Sequence, residues 1–191
     1  EKIIGMSEEE KFIFDLNGYV IRESVLSSDE IIKIKKQIEL IHSEPDSLPE
    51  ASRAVPGGPA QVLIDHPKVL DVLHEVIGPD IRLEVAFSMV RNQGERHGDL
   101  HGGGPQQIDP IFGYRCQNGR IHAGMVRVAF ELTDIAEDDG ATVFIPGSHK
   151  ANFPMHQDHM SLEVGSRSPF LKSYSCPAGS ALFFTENLCH A

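Results

Sequence analysis

Met125-Val126-Arg127-Val128-Ala129-Phe130-Glu131-Leu132 runs at the period of two that a half-buried strand needs. Upstream, Ile81, Leu83, Val85 and Phe87 alternate with Arg82, Glu84, Ala86 and Ser88 and predict a strand of the same kind. Downstream, Glu137-Asp138-Asp139-Gly140 is a turn and Ala141 to Ile145 a further strand. Leu171–Cys176 and Ser180–Thr185 predict a last pair around the turn Pro177-Ala178-Gly179. The first third reads differently. Ser27-Ser28-Asp29-Glu30 has the form of a capping box, and Ile31, Ile34, Ile38 and Ile41 follow at helical spacing. Phe12 to Val20 suggests a short helix stopped at Asn17-Gly18 and then the start of a strand. Pro67 to Ile77 predicts another helix, ended by Gly78-Pro79. The Pro-, Gly- and Ala-rich stretch from Ser47 to Ala60 reads as a surface loop. Helices followed by five or more short strands predict one α+β domain over 1–191, mainly β, as a sandwich or jelly roll.

Composition narrows the function. The 191 residues carry 17 Lys and Arg against 28 Asp and Glu, a net charge of -11 that disfavours a phosphate backbone as partner. No apolar run approaches the length that spans a bilayer, and the start lacks a signal-peptide pattern. Cys116, Cys176 and Cys189 are odd in number and widely spaced, which reads as reduced thiols in a cytoplasmic setting. The ten histidines are the unusual feature.

His97-Gly98-Asp99-Leu100-His101-Gly102-Gly103-Gly104 carries the strongest chemical signal. In an extended segment residues 97, 99 and 101 share one side, so two imidazoles and a carboxylate converge, with space above the glycines. Two His and one carboxylate leave three positions open on a non-haem Fe(II). The third ligand then comes from a distant strand, and His190, after Ala181-Leu182-Phe183-Phe184, is the candidate. On spacing alone, polar residues in a glycine-rich loop are the favoured reading over a metal site. His156-Gln157-Asp158-His159 lies in a segment poor in strand formers and reads as a solvated loop. His149 reads as a structural hydrogen-bonding residue in a turn. His42, His66, His74 and His122 read as surface or helix-end residues.

Leu132-Thr133-Asp134, then Asp139-Gly140-Ala141-Thr142-Val143-Phe144-Ile145-Pro146-Gly147-Ser148-His149-Lys150, resembles the phytanoyl-CoA dioxygenase family. Pro177 to Phe184 followed by Leu188-Cys189-His190 resembles that family's segment bearing the distal metal histidine, and Phe14 to Val20 resembles its usual start. The resemblance implies a double-stranded β-helix (cupin-like) with the N-terminal helices packed on one sheet. It also implies Fe(II), 2-oxoglutarate and O2, and hydroxylation of a C–H bond of a small organic substrate with release of succinate and CO2.

Two registers follow from it. In one, His97 and Asp99 with His190 hold the metal. In the other, Leu100-His101-Gly102-Gly103-Gly104 resembles a branch in which His101 is the first ligand, and Gly103 then stands where a carboxylate would, as in the related iron halogenases. The family also uses an Arg about ten residues past the distal His for the far carboxylate of 2-oxoglutarate. The sequence stops at Ala191, which predicts a truncated chain, and leaves Arg127 as a substitute cation or an exposed strand residue. Gly102–Gln107, Asn118–Ile121 and Ser47–Pro59 are expected on the substrate side, and a non-catalytic jelly-roll binding module is the alternative outside catalysis.

Overall fold

The computed structural model describes residues 5–92, 94–95, 98–105, 111, 113–137, 139–163 and 166–191. Helix α1, Glu8–Asn17, opens with a capping box: the Ser7 hydroxyl accepts from the Glu10 amide, and the Glu10 carboxylate accepts from the Ser7 amide. The chain turns at Gly18 into strand β1, Tyr19–Arg22. Helix α2, Ser28–Ser43, has the expected Ser27–Glu30 box, and helix α3, Pro67–Val76, starts on its proline. Strands β2 (Tyr114–Gln117), β3 (Arg120–Ala123), β4 (Val126–Phe130) and β5 (Ala181–Thr185) follow.

Strand β5 lies between β1 and β4, antiparallel to both, with Phe183 level with Val20 and Val128. A central strand covered on both faces reads as a near-continuous apolar run, and all of Ala181–Thr185 is buried. The pleat divides its side chains. Ala181 and Phe183 pack with Phe14, Ile34, Val69, Val72 and Val76 beneath the helices. Leu182 and Phe184 face the other way, onto Phe144, Tyr174, Cys176 and Leu188. On that second side a short irregular ladder brings residue 101 beside 190, 190 beside 144 and 144 beside 172, all antiparallel.

Several expectations change. The Ser47–Ala60 stretch is not a simple surface loop: it winds through short 3-10 turns and is pinned from within. The buried Gln37 amide donates to the carbonyls of Ser52 and Gly57, and its oxygen accepts from the Ala60 amide. Gln37→Met keeps the volume and strands those three backbone groups. We expect a loss of about 1–3 kcal/mol, read from urea unfolding, since buried unpaired polar groups cost that much.

The Leu171–Cys176 segment does not pair with Ser180–Thr185 across the Pro177–Gly179 turn. Cys176 bridges to Ile135 and Lys172 to Phe144, while β5 is already taken on both edges by β1 and β4. The Ile81–Ser88 segment is not a strand. Alternation makes a strand only where a neighbour accepts its ladder, and among the described residues none does; Leu83, Val85 and Phe87 stay more than half exposed. Ala141–Ile145 forms only the short ladder at Val143, Phe144 and Ile145. The β2–β3 hairpin turns at Asn118-Gly119, whose φ values of 54° and 72° suit a two-residue hairpin turn. All three cysteines are free thiols, and no described helix is long and apolar enough to cross a membrane.

Candidate metal centre

Two segments meet at the site, and backbone hydrogen bonds join them. The His101 amide donates to the His190 carbonyl at 3.0 Å, and the His190 amide returns to the His101 carbonyl at 2.9 Å. This pair sets the imidazoles side by side, with ring centroids 4.2 Å apart. The glycines after His101 make the approach possible. A Cβ on Gly102 would lie 2.7 Å from the Leu188 carbonyl oxygen, and one on Gly103 would lie 2.8 Å from Cys189 Cβ. Both have φ above 70°, a conformation glycine reaches without a Cβ clash.

The Pro146-Gly147-Ser148-His149 run holds both segments in register. Ser148 Oγ accepts from the Cys189 amide, the Ser148 carbonyl accepts from the Gly104 amide, and the Asn187 side chain donates to the His149 carbonyl at 2.6 Å. His149 itself is fully buried and structural, as its turn suggested, with Nε2 donating to the Asp15 carbonyl at 3.1 Å. Its Nδ1 is buried without a partner, and burial, with Lys150 beside it, pushes its pKa down to about 4. The unfolded imidazole titrates near 6.5, so between those values the unfolded chain takes up a proton that the folded chain refuses. The stabilisation is full above pH 6.5 and declines as pH falls toward 4, by on the order of 3 kcal/mol. Urea midpoints at pH 7.5 and 4.5 check this: the loss is to be smaller in His149→Gln than in the unsubstituted protein.

His101 and His190 share one hydrogen-bonding device. The Nδ1–H of His101 donates to the Asp99 carbonyl at 2.9 Å, and that of His190 to the Leu188 carbonyl at 2.6 Å. A carbonyl only accepts, so each Nδ1 carries the proton and each Nε2 keeps its lone pair. Burial, aided by His101 nearby, lowers the pKa of His190 and so favours the neutral form, the one that binds metal. Glu186 completes a group of three: one ligand atom from each of His101, Glu186 and His190 lies within 4.8 Å of the others. Two imidazole nitrogens and a carboxylate oxygen are the donor set of a facial Fe(II) site, so these residues fit the metal that the sequence implies. Cys189, beside His190, is buried, which pushes its thiol pKa up to about 11, and it is not in the three-residue group.

The other expected site residues are placed as follows. His97 lies outside the described residues. Asp99 is exposed and meets His101 through its backbone carbonyl, and its carboxylate is not in the three-residue group. Arg127 is spent on Glu186, with Nε to Oε2 at 3.0 Å and Nη2 to Oε1 at 2.9 Å, and its guanidinium lies over the Phe87 ring. His156 Nδ1 accepts from the Asp158 amide and lies 3.3 Å from the Asp158 carboxylate, both side chains exposed, consistent with a solvated loop. A cavity of about 200 Å³ is lined by Asp99, whose carbonyl accepts from His101, and by Leu100, Met160, Ser161, Leu162 and Glu163. A larger one, about 400 Å³, lies around Arg22, which Glu10 and Asp71 already engage, and shares no residue with the centre. Glu186 is the residue that motif reading passed over. Its signal was there: it is the one charged side chain in the buried run from Ala181 to His190.

The sequence model of the phytanoyl-CoA dioxygenase (PhyH) family matches residues 14–191. The chain belongs to that family. Phytanoyl-CoA dioxygenase-like proteins are 2-oxoglutarate-dependent oxygenases, and this chain is one of them. No curated relative matches it at the sequence level. Among solved structures it is similar to apo HygX from Streptomyces hygroscopicus, at 23% identity and a TM-score of 0.79, over 98% of this chain and 79% of that one. HygX with nickel and 2-oxoglutarate bound gives 23% identity and a TM-score of 0.77, over 97% of this chain and 80% of that one. EctD from S. alaskensis, with 2-oxoglutarate and 5-hydroxyectoine, gives 16% identity and a TM-score of 0.53, over 97% of this chain and 69% of that one.

Proposed function

We propose that this protein is an Fe(II)- and 2-oxoglutarate-dependent hydroxylase of a small organic substrate, built on a double-stranded β-helix. The observation that carries the reading is the pair His101 and His190, paired through their backbones, with each Nδ1–H donating to a carbonyl so that Nε2 is the ring atom left to bind a metal. The short 101–190–144–172 ladder opposite the β1–β5–β4 sheet supports the two-sheet architecture. With iron and 2-oxoglutarate bound, O2 is used to convert a substrate C–H into C–OH while 2-oxoglutarate becomes succinate and CO2.

The chain's own work is positioning and shielding. His101 and His190 present their Nε2 atoms at a fixed separation, held by the Asp99 and Leu188 carbonyls. The ring of Phe184, 4.8 Å from that of His190, and the Phe144 cluster exclude water behind the centre. On the open side, the cavity between Asp99–Leu100 and Met160–Glu163 is the space we assign to the substrate. HygX has been crystallised with nickel, 2-oxoglutarate and hygromycin B, so a related fold accommodates a small molecule together with metal and 2-oxoglutarate.

Anaerobic titration of Fe(II) with 2-oxoglutarate tests the reading. The weak visible charge-transfer band of the chelate is expected in the unsubstituted protein, and its loss in His101→Ala and in His190→Ala, with unchanged far-UV circular dichroism. A protein that folds and binds neither Fe(II) nor 2-oxoglutarate is instead a non-catalytic binding module of the same fold.

A further inference from the structure

In the His101 register, the position two residues on is Gly103, and the structure closes it to any side chain. A Cβ there would meet Cys189 Cβ at 2.8 Å and Ser148 Cβ at 3.1 Å. A carboxylate for the metal therefore has to come from elsewhere in the chain, or be absent. Glu186 stands in the right place, on the turn directly after β5 and four residues before His190, with its side chain 13% exposed. We infer that Glu186 supplies the carboxylate ligand of this centre, and that Arg127 is the positioning residue that aims it. The inference rests on the two-histidine centre proposed above and adds the third ligand to it.

The chemistry allows Glu186 both roles. A carboxylate offers about four lone-pair sites over its two oxygens, and the bidentate Arg127 contact takes one on each. Each oxygen keeps a lone pair that can face the imidazoles. Ligating carboxylates are ordinarily fixed by an outer hydrogen bond, and a planar guanidinium supplies two. Arg127 is itself fixed, by β4 and by the Phe87 ring 5.7 Å from its guanidinium carbon. The Glu186 amide donates to the Met125 carbonyl at 3.1 Å, so β4 and the turn after β5 hold acid and base in one register.

Co(II), a spectroscopic substitute for Fe(II), is the probe, followed by its visible d–d bands and by calorimetry. Glu186→Ala is expected to weaken Co(II) binding by more than about 100-fold, and Arg127→Met by about 10- to 100-fold, the range found when an outer partner is removed. Arg127→Met is also expected to shift the d–d bands, which mere loosening of the fold does not do, and Arg127→Lys to restore part of the affinity. Asp99→Asn is expected to bind as the unsubstituted protein does. His190→Ala controls for the centre itself. Undiminished binding in Glu186→Ala, with loss in His190→Ala, overturns the inference and leaves the two-histidine centre standing, and added chloride that tightens Co(II) in the same protein points to the carboxylate-free register. Loss of binding in Asp99→Asn also overturns it. No Co(II) binding by the unsubstituted protein overturns both readings.

Discussion

Gly103→Ala is expected to cost about 2–5 kcal/mol of stability and to impair metal binding in the fraction that still folds. Two effects add. At φ +72° an alanine sits in the left-handed region, which costs about 1–2 kcal/mol for a residue with a Cβ. Its methyl would lie 2.8 Å from Cys189 Cβ and 3.1 Å from Ser148 Cβ, and such overpacking costs about 1–3 kcal/mol. Neither neighbour can retreat freely: Cys189 is buried with its amide on Ser148 Oγ, and Ser148 is buried in the turn that holds both segments. The strain is relieved by moving the 101–104 segment away from 187–190, and that motion separates His101 from His190. Gly140→Ala supplies the comparison, because it has the same φ with open space around the new methyl and so shows the backbone cost alone. Urea unfolding of both variants, with Co(II) titration, measures the difference. Equal losses in the two would mean that residue 103 is not packed against Cys189 and would reopen the position to a carboxylate.

The legibility of this chain follows what each kind of signal depends on. Local signals read correctly: the Ser27–Glu30 box, the Asn17-Gly18 stop and the Pro67 start all appear, because caps are settled by neighbours within a few residues. Strand pairing depends on distant residues, and there the reading slipped. Leu171–Cys176 has a strand's composition, yet β5 was closed to it by β1 and β4. Ile81–Ser88 has the alternation without a described partner. At the centre, His190 and His101 were visible as types in a pattern. Glu186 was not, because nothing in its spacing marks it. What marks it is a charge inside a buried run, a cost that needs a compensating partner. Arg127 is one such partner, on a strand 59 residues away.

Phe144→Ala is expected to remove about 3–5 kcal/mol, the cost of deleting a fully buried phenylalanine. Phe144 stacks on Tyr19 with centroids 4.6 Å apart and meets the Phe184 ring edge-on at 5.2 Å, so its loss opens a cavity between β1, β5 and the short ladder. The consequence reaches the metal centre through one further ring. Phe184 also lies edge-on to His190 at 4.8 Å, and a Phe184 ring free to tilt into the cavity no longer fixes that imidazole. Residues 143–145 are bonded to 189–191 on the other side, so backbone and ring positions relax together. We expect Co(II) affinity to fall about tenfold, comparable to losing an outer support of a ligand. Global destabilisation alone does not produce that fall, because a domain that remains folded in buffer presents the same centre to the metal whatever its margin. Val72→Ala, in the cluster beneath the helices on the opposite face of β5, separates the two effects. It is expected to lower stability while leaving Co(II) affinity unchanged. A tenfold loss in Val72→Ala as well would show that the centre responds to the whole core, and the tie through Phe184 would then carry no special weight.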